Sequence, residues 1–236
     1  MRYQQITKAI FLERPNRFVA YCMVNGETHK VHVKNTGRCK ELLVSGAIVY
    51  LEESHNPNRK TKYSLVAVEK GNLLINMDSQ VPNQVVEEAL YSGKIKLPNI
   101  SEPITLIKRE KTYGQSRFDF YLETEKEKIF IEVKGVTLEE EGIVRFPDAP
   151  TERGVKHVEE LIAAIKEGYR CYVIFVVQMA TARYFTPHEA RHPEFAKALI
   201  RAEQNGVGIL AYTCLVAPDA LAIDQSLEVR LLTETI

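Results

Sequence analysis

The stretch RFDFYLETEKEKIFIEVKGVTL, residues 117–138, sets two carboxylates and a lysine among apolar residues. Asp119 sits between Phe118 and Phe120, Glu132 between Ile131 and Val133, and Lys134 follows two positions later. The charged run TEKEK separates two strand-like segments, which reads as an antiparallel hairpin with a four-residue loop at 124–127. In that register Asp119 falls opposite Glu132 and Arg117 opposite Lys134. Period-two alternation puts these four on one face and Phe118, Phe120, Leu122, Ile129, Ile131 and Val133 on the other. Two facing carboxylates repel when both ionise. A hard divalent cation, Mg²⁺ or Mn²⁺, removes that cost, polarises a phosphoryl oxygen and acidifies a bound water. Lys134 is placed to orient that water or to stabilise charge on a phosphate. The same four residues also suit a plain surface cluster in which Arg117 and Lys134 neutralise the two acids. Geometry alone leaves both readings open.

The elements around this hairpin fall into two groups. Segments 8–14, 17–24, 28–34, 47–53, 62–70 and 73–77 are rich in β-branched and aromatic residues and are separated by turn signals such as Asn25-Gly26. Residues 38–44 read as one short helix. Short strands with one helix in about eighty residues predict a small β-barrel of the OB type. A helix beginning at Pro82 follows, with VVEEAL as its apolar stripe. Beyond it, strands at 105–111, 117–123, 128–136, 169–178, 207–217 and 220–232 alternate with helices at 151–168 and 194–206. The expected fold class is therefore α/β in two domains: an OB-like barrel over 1–80, then a mixed-sheet α/β domain over 81–236.

Composition narrows the function. Apolar residues make up 45% and charged residues 26%, as in an ordinary globular protein. No window is apolar enough for a membrane span, and the N-terminus lacks a signal-peptide core, so a cytoplasmic protein is expected. Cys22, Cys39, Cys171 and Cys214 form no C-x-x-C pair, which argues for reduced thiols. Residues 1–80 hold 12 Lys and Arg against 7 Asp and Glu, and the remainder 19 against 24. Only the first domain leans toward nucleic acid. There, Asn35, Thr36, Gly37 and Arg38, which end a strand and open the short helix, offer backbone N–H groups to a phosphate, and Arg59, Lys60 and Lys62 with Tyr63 form a basic-aromatic edge. Arg153 and His157, four apart on a helix, share a face that could reach a phosphate at the hairpin. Asp148 reads as the N-cap of that helix rather than a ligand. P-loop, dinucleotide, zincin and α/β-hydrolase signatures are absent.

An acid followed by E-x-K on the next strand resembles the PD-(D/E)xK nuclease superfamily. Over a longer span, VHVKNTGRCKELL (31–43), NPNRKTKYSLVAVE (56–69), SRFDF (116–120), IEVKGVTL (131–138) and FPDAPTERGVKHVEEL (146–161) together resemble the sugar fermentation stimulation protein A family. That resemblance implies an OB-like domain followed by a nuclease-like domain. It implies DNA binding without strong sequence preference, with RNA or single strands as further candidates, and a regulatory link to sugar (maltose) metabolism. Asp119, Glu132 and Lys134 would be the nuclease-like centre. The superfamily often adds an acid from the preceding helix, which points to Glu88, with Glu87 beside it, as a further metal ligand. Three function classes follow: a metal-dependent nuclease, a non-catalytic DNA-binding regulator, or a sugar-metabolism protein with no nucleic-acid role. The sequence leaves monomer and homodimer open.

Overall fold

The computed structural model describes residues 1–35 and 37–231. Six strands come first: β1 (Ile6–Asn16), β2 (Val19–Val24), β3 (Glu27–Val33), β4 (Ile48–Glu53), β5 (Tyr63–Lys70) and β6 (Leu73–Asn76). Their order is β3-β2-β1-β4-β5-β6, and a parallel β3–β5 pairing closes five of them into a barrel. Asn25 and Gly26, at φ 50° and 86°, make the tight β2–β3 turn. The helix expected at 38–44 is a single turn. Cys39 adopts φ 45°, and its carbonyl accepts the N–H groups of Leu42 and Leu43 before the chain leaves. Seven residues closed by a left-handed position at one end cannot repay helix nucleation.

After the barrel come α1 (Pro82–Tyr91), β7 (Leu106–Tyr113), β8 (Ser116–Glu123), β9 (Lys128–Val136), β10 (Leu138–Glu140) and β11 (Ile143–Phe146). The chain ends with α2 (Glu152–Lys166), β12 (Arg170–Val177), β13 (Tyr184–Pro187), α3 (Pro193–Gln204), β14 (Gly208–Ala217) and β15 (Ala220–Leu227). The larger sheet runs β15-β14-β12-β9-β8-β7, with β9–β12 and β12–β14 parallel. α2 and α3 supply the two crossovers that parallel pairing requires. α1 packs against β9 and β15 on one face, while α2 and α3 cover the other. The small sheet β10-β11-β13 has no counterpart in the sequence pattern, because strands of three or four residues carry too little periodicity to read.

The hairpin keeps its expected register from Glu123↔Lys128 to Phe120↔Ile131, and Thr124 N–H donates to the Glu127 carbonyl across the loop. Then the two strands part. β9 continues parallel to β12 as far as Val136, and the start of β8 stays on β7. Asp119 and Glu132 are therefore not ladder partners. Opposite this point β7 has Glu110 at φ 56°, between the pairs Arg109↔Phe120 and Lys111↔Phe118. A left-handed residue breaks the pleat, and Phe118 falls in the cluster with Tyr121 and Phe130 instead of with Phe120. Both faces of the hairpin are buried.

Candidate active-site cleft

A cleft of about 470 Å³ opens where the hairpin strands part. The barrel contributes Asn35 and Gly37 to its wall, α1 contributes Asn83, β8 and β9 contribute Asp119, Glu132 and Lys134, and α2 contributes Arg153 and His157. Asp119 is fixed by two donors: Asn83 Nδ2 donates to Oδ1 at 2.7 Å and the Val133 N–H to Oδ2 at 2.7 Å. The second bond replaces the ladder bond lost where the strands diverge. Glu132 is only 3% exposed. Its Oε1 accepts from Lys134 Nζ and from His157 Nδ1, both at 2.6 Å. Its Oε2 is buried with no partner. Arg153 Nε donates to His157 Nε2 at 3.3 Å, so Nε2 is the acceptor nitrogen and the Nδ1–H faces Glu132.

The two acids are driven in opposite directions. Burial alone would raise Glu132, but the His157 hydrogen bond and the Lys134 charge overcome it and leave its carboxyl below the ordinary range. Burial and the charge of Glu132 push Asp119 above its ordinary value, against the Val133 and Asn83 hydrogen bonds and Lys134. An orphaned, ionised Glu132 oxygen beside a carboxyl that resists ionisation is a donor set that a divalent cation satisfies.

The remaining expected residues divide. Arg117 lines the cleft, is exposed and pairs with Glu110 at 3.4 Å. Asn35 lines it too, but its side chain is occupied: Nδ2 donates to the Met77 carbonyl and Oδ1 accepts the Gly37 N–H. Arg38 is exposed on the barrel and lies outside the cleft lining. Arg59 donates to Ser64 Oγ, Lys62 pairs with Glu53 at 3.0 Å, Lys60 is exposed, and none of the three lines the cleft. Glu88 is corrected: it sits 2.6 Å from the Met1 ammonium and does not line the cleft. Glu87 lies 3.5 Å from Arg109. Asp148 is also corrected. It lines the cleft, while Thr151 caps α2 by accepting the Gly154 N–H. Asn83 escapes a reading that looks only for acids on α1; it is four residues before Glu87 and so on that face. All four cysteines are buried and free, and no helix among the described residues is long and apolar enough to cross a membrane.

A closed OB-type barrel joined to a mixed-sheet α/β unit, with an acid and an E-x-K pair in a cleft between them, defines the class. Residues 12–77 match the family described as "SfsA N-terminal OB domain", and residues 80–220 match "Sugar fermentation stimulation protein RE domain". A sugar fermentation stimulation protein homolog of Clostridium beijerinckii is 54% identical over 231 residues, covering 98% of this chain and 100% of the relative. The homolog of Ruminiclostridium cellulolyticum is 52% identical with the same coverage. The structure of Pyrococcus furiosus SfsA in complex with Ca²⁺ superposes with a TM-score of 0.86 at 28% identity, over 98% of each chain. The chain belongs to the sugar fermentation stimulation protein family.

Proposed function

We propose that this protein binds DNA without strong sequence preference and hydrolyses phosphodiester bonds in the cleft with a divalent cation, Mg²⁺ or Mn²⁺. One observation carries the reading: buried Glu132 keeps an unpartnered, ionised oxygen in a cleft shared with Asp119 and Lys134. Asp119 and Glu132 would hold the cation. Among the described residues no three His, Cys, Asp or Glu side chains form a metal cage, so water and substrate oxygens would complete the shell, as Mg²⁺-type ions prefer. The Pyrococcus furiosus relative forms a complex with Ca²⁺, another hard oxygen-seeking cation. A cation held in the cleft supplies Lewis-acid polarisation of a phosphoryl oxygen and a more acidic bound water.

The chain's own groups do the rest. Arg117, Arg145 and Arg153 line the cleft and are placed to bind non-bridging phosphate oxygens. Lys134 holds its ammonium at the reacting centre, where it stabilises charge developing on the phosphate. His157, with its Nδ1–H on Glu132, keeps Oε1 occupied and leaves Oε2 for the cation. A second reading, a non-catalytic DNA-binding regulator of sugar metabolism, is favoured by one feature. α1 offers Asp119 a neutral Asn83 where a third carboxylate would strengthen a catalytic metal.

The test uses linear duplex, single-stranded DNA and RNA with Mg²⁺, Mn²⁺ or EDTA. Metal-dependent cutting that is lost with Lys134→Ala supports hydrolysis. Binding that persists, with wild type and Lys134→Ala equally inert, leaves the regulator.

A further inference from the structure

A second groove, about 840 Å³, adjoins the cleft. Gly37 belongs to the wall of both, and Ala149 of the groove follows Asp148 of the cleft. Three exposed cations line it: Arg17, Arg38 and Lys40. Elsewhere on the barrel Lys34, Lys62 and Lys70 are held by Glu52, Glu53 and Glu139, while Lys30 and Lys60 are exposed outside this groove wall. No carboxylate among the described residues holds Arg17, Arg38 or Lys40, and Glu13 is the one acid in the groove wall. Arg14 is not free in this sense. Its guanidinium donates to the carbonyls of Arg17, Asn35, Gly37 and Arg38, which fixes Asn35, Gly37 and Arg38 at the ridge between groove and cleft. Beside Arg17, Phe18 is 51% exposed, with the Arg17 guanidinium 5.8 Å from its ring.

Cations without a carboxylate partner in one groove wall, with an exposed ring beside Arg17, fit one ligand chemistry: a polyanion with stacking faces. The groove is walled by the β1–β2 turn and the loop after β3 of a single small barrel. Barrels of this type use the first of these loops to hold extended strands. We propose that this groove is a track for a single-stranded segment of the nucleic acid whose phosphodiester lies in the cleft, with phosphates on Arg17, Arg38 and Lys40 and a base on Phe18. The proposal rests on the nuclease-like reading of the cleft. It moves the barrel's nucleic-acid contacts from Arg59, Lys60 and Lys62 to the side facing Asp148.

The test is fluorescence anisotropy of a labelled oligodeoxythymidine and of a labelled blunt duplex, in EDTA, across a salt series. The triple variant Arg17→Ala/Arg38→Ala/Lys40→Ala changes exposed side chains, and its fold is checked by an unchanged Tm. It should bind the single strand at least about tenfold more weakly at low salt, with a salt slope shallower by about 2, from roughly 0.7 per lost phosphate contact. Phe18→Ala alone should weaken single-strand binding several-fold with no change in that slope. Wild-type affinity and slope in the triple variant overturn the track, and so does an equal loss on blunt duplex. The two ideas fail separately. If wild type and triple variant cut and bind alike, the track falls and the cleft reading stands. If wild type neither binds nor cuts, both fall.

Discussion

At the scale of residues, the His157 Nδ1–H and the Lys134 ammonium hold Glu132 below the ordinary carboxylate range despite its burial. A lowered folded-state value stabilises the protein above the unfolded value and is lost as pH falls through the folded one. Asp119 is raised, so the folded chain keeps its proton more readily than the unfolded one. Ionising it as pH climbs above the ordinary range therefore costs stability. The two amides should then differ at neutral pH in EDTA. Glu132→Gln strands the Lys134 ammonium, which is 16% exposed, and should cost about 1–3 kcal/mol, lowering Tm by several degrees. Asp119→Asn removes the charge that burial and Glu132 penalise, but its amide nitrogen cannot accept, so either Asn83 Nδ2 or the Val133 N–H loses its acceptor and the two effects offset. It should lower Tm by less than Glu132→Gln does, and its standing against wild type should worsen as pH drops toward the carboxylate range, where wild-type Asp119 protonates. Adding Mn²⁺ should raise the Tm of wild type by mass action and leave Asp119→Asn unmoved. Thermal melts with and without metal decide this, and a fall in Tm for Asp119→Asn in EDTA as large as that for Glu132→Gln would sink the electrostatic account. Asp119, Glu132 and Lys134 were legible because acids in an apolar strand break the pattern. The His157–Glu132 bond was not, since its partners are 25 positions apart and meet only once α2 has packed on the sheet.

At the scale of elements, the site depends on where α1 begins. Gly135 follows Lys134 on β9, and a Cβ there would lie 2.6 Å from Gln178 Oε1 and 2.9 Å from Pro82 Cγ. Neither neighbour yields easily. Gln178 Nε2 is tied to Asn76 Oδ1 and the Asp78 carbonyl, and the Pro82 ring opens α1. Gly135→Ala should push the start of α1 off β9, weaken the Asn83–Asp119 bond and cost about 1–3 kcal/mol of stability. Its metal-induced Tm shift should shrink as well. A Tm and metal response equal to wild type would mean that α1 is not held at this point. Elements themselves read well from sequence wherever they are long. The hairpin register held because a one-residue slip would carry Ile129 and Ile131 onto the face that holds Asp119 and Glu132. It failed beyond Phe120 because a strand cannot announce that its neighbour will leave for a third strand, as β9 does for β12. The turn at Cys39 and the left-handed Glu110 failed for a related reason: non-glycine residues at positive φ are imposed by their surroundings.

At the scale of the whole molecule, barrel and sheet share more than a linker. One apolar cluster runs from Val49 and Leu65 in the barrel to Phe175 and Val177 of β12. Across the same junction the Asn76 N–H donates to the Gln178 carbonyl, and Gln178 Nε2 returns a bond to Asn76 Oδ1. Asp78, 1% exposed, accepts from Lys34 Nζ at 3.1 Å, and Lys34 also pairs with Glu52 at 2.8 Å. The cleft, with Asn35 and Gly37 in its wall, sits on this junction, so a protein that let its halves move independently would lose the cleft's barrel wall. Folding should therefore be a single cooperative event despite two domains. Because the chain has no tryptophan, hydrogen exchange read by mass spectrometry is the suitable probe. Peptides from β4 and from β12 should lose protection together as denaturant rises. Asp78→Ala leaves Lys34 with half its partners and empties a buried polar position, which should cost about 3–5 kcal/mol and move both sets of peptides by the same amount. If the barrel peptides alone shift, the junction does not couple the domains, and the cleft would have to be built by the α/β unit without the barrel.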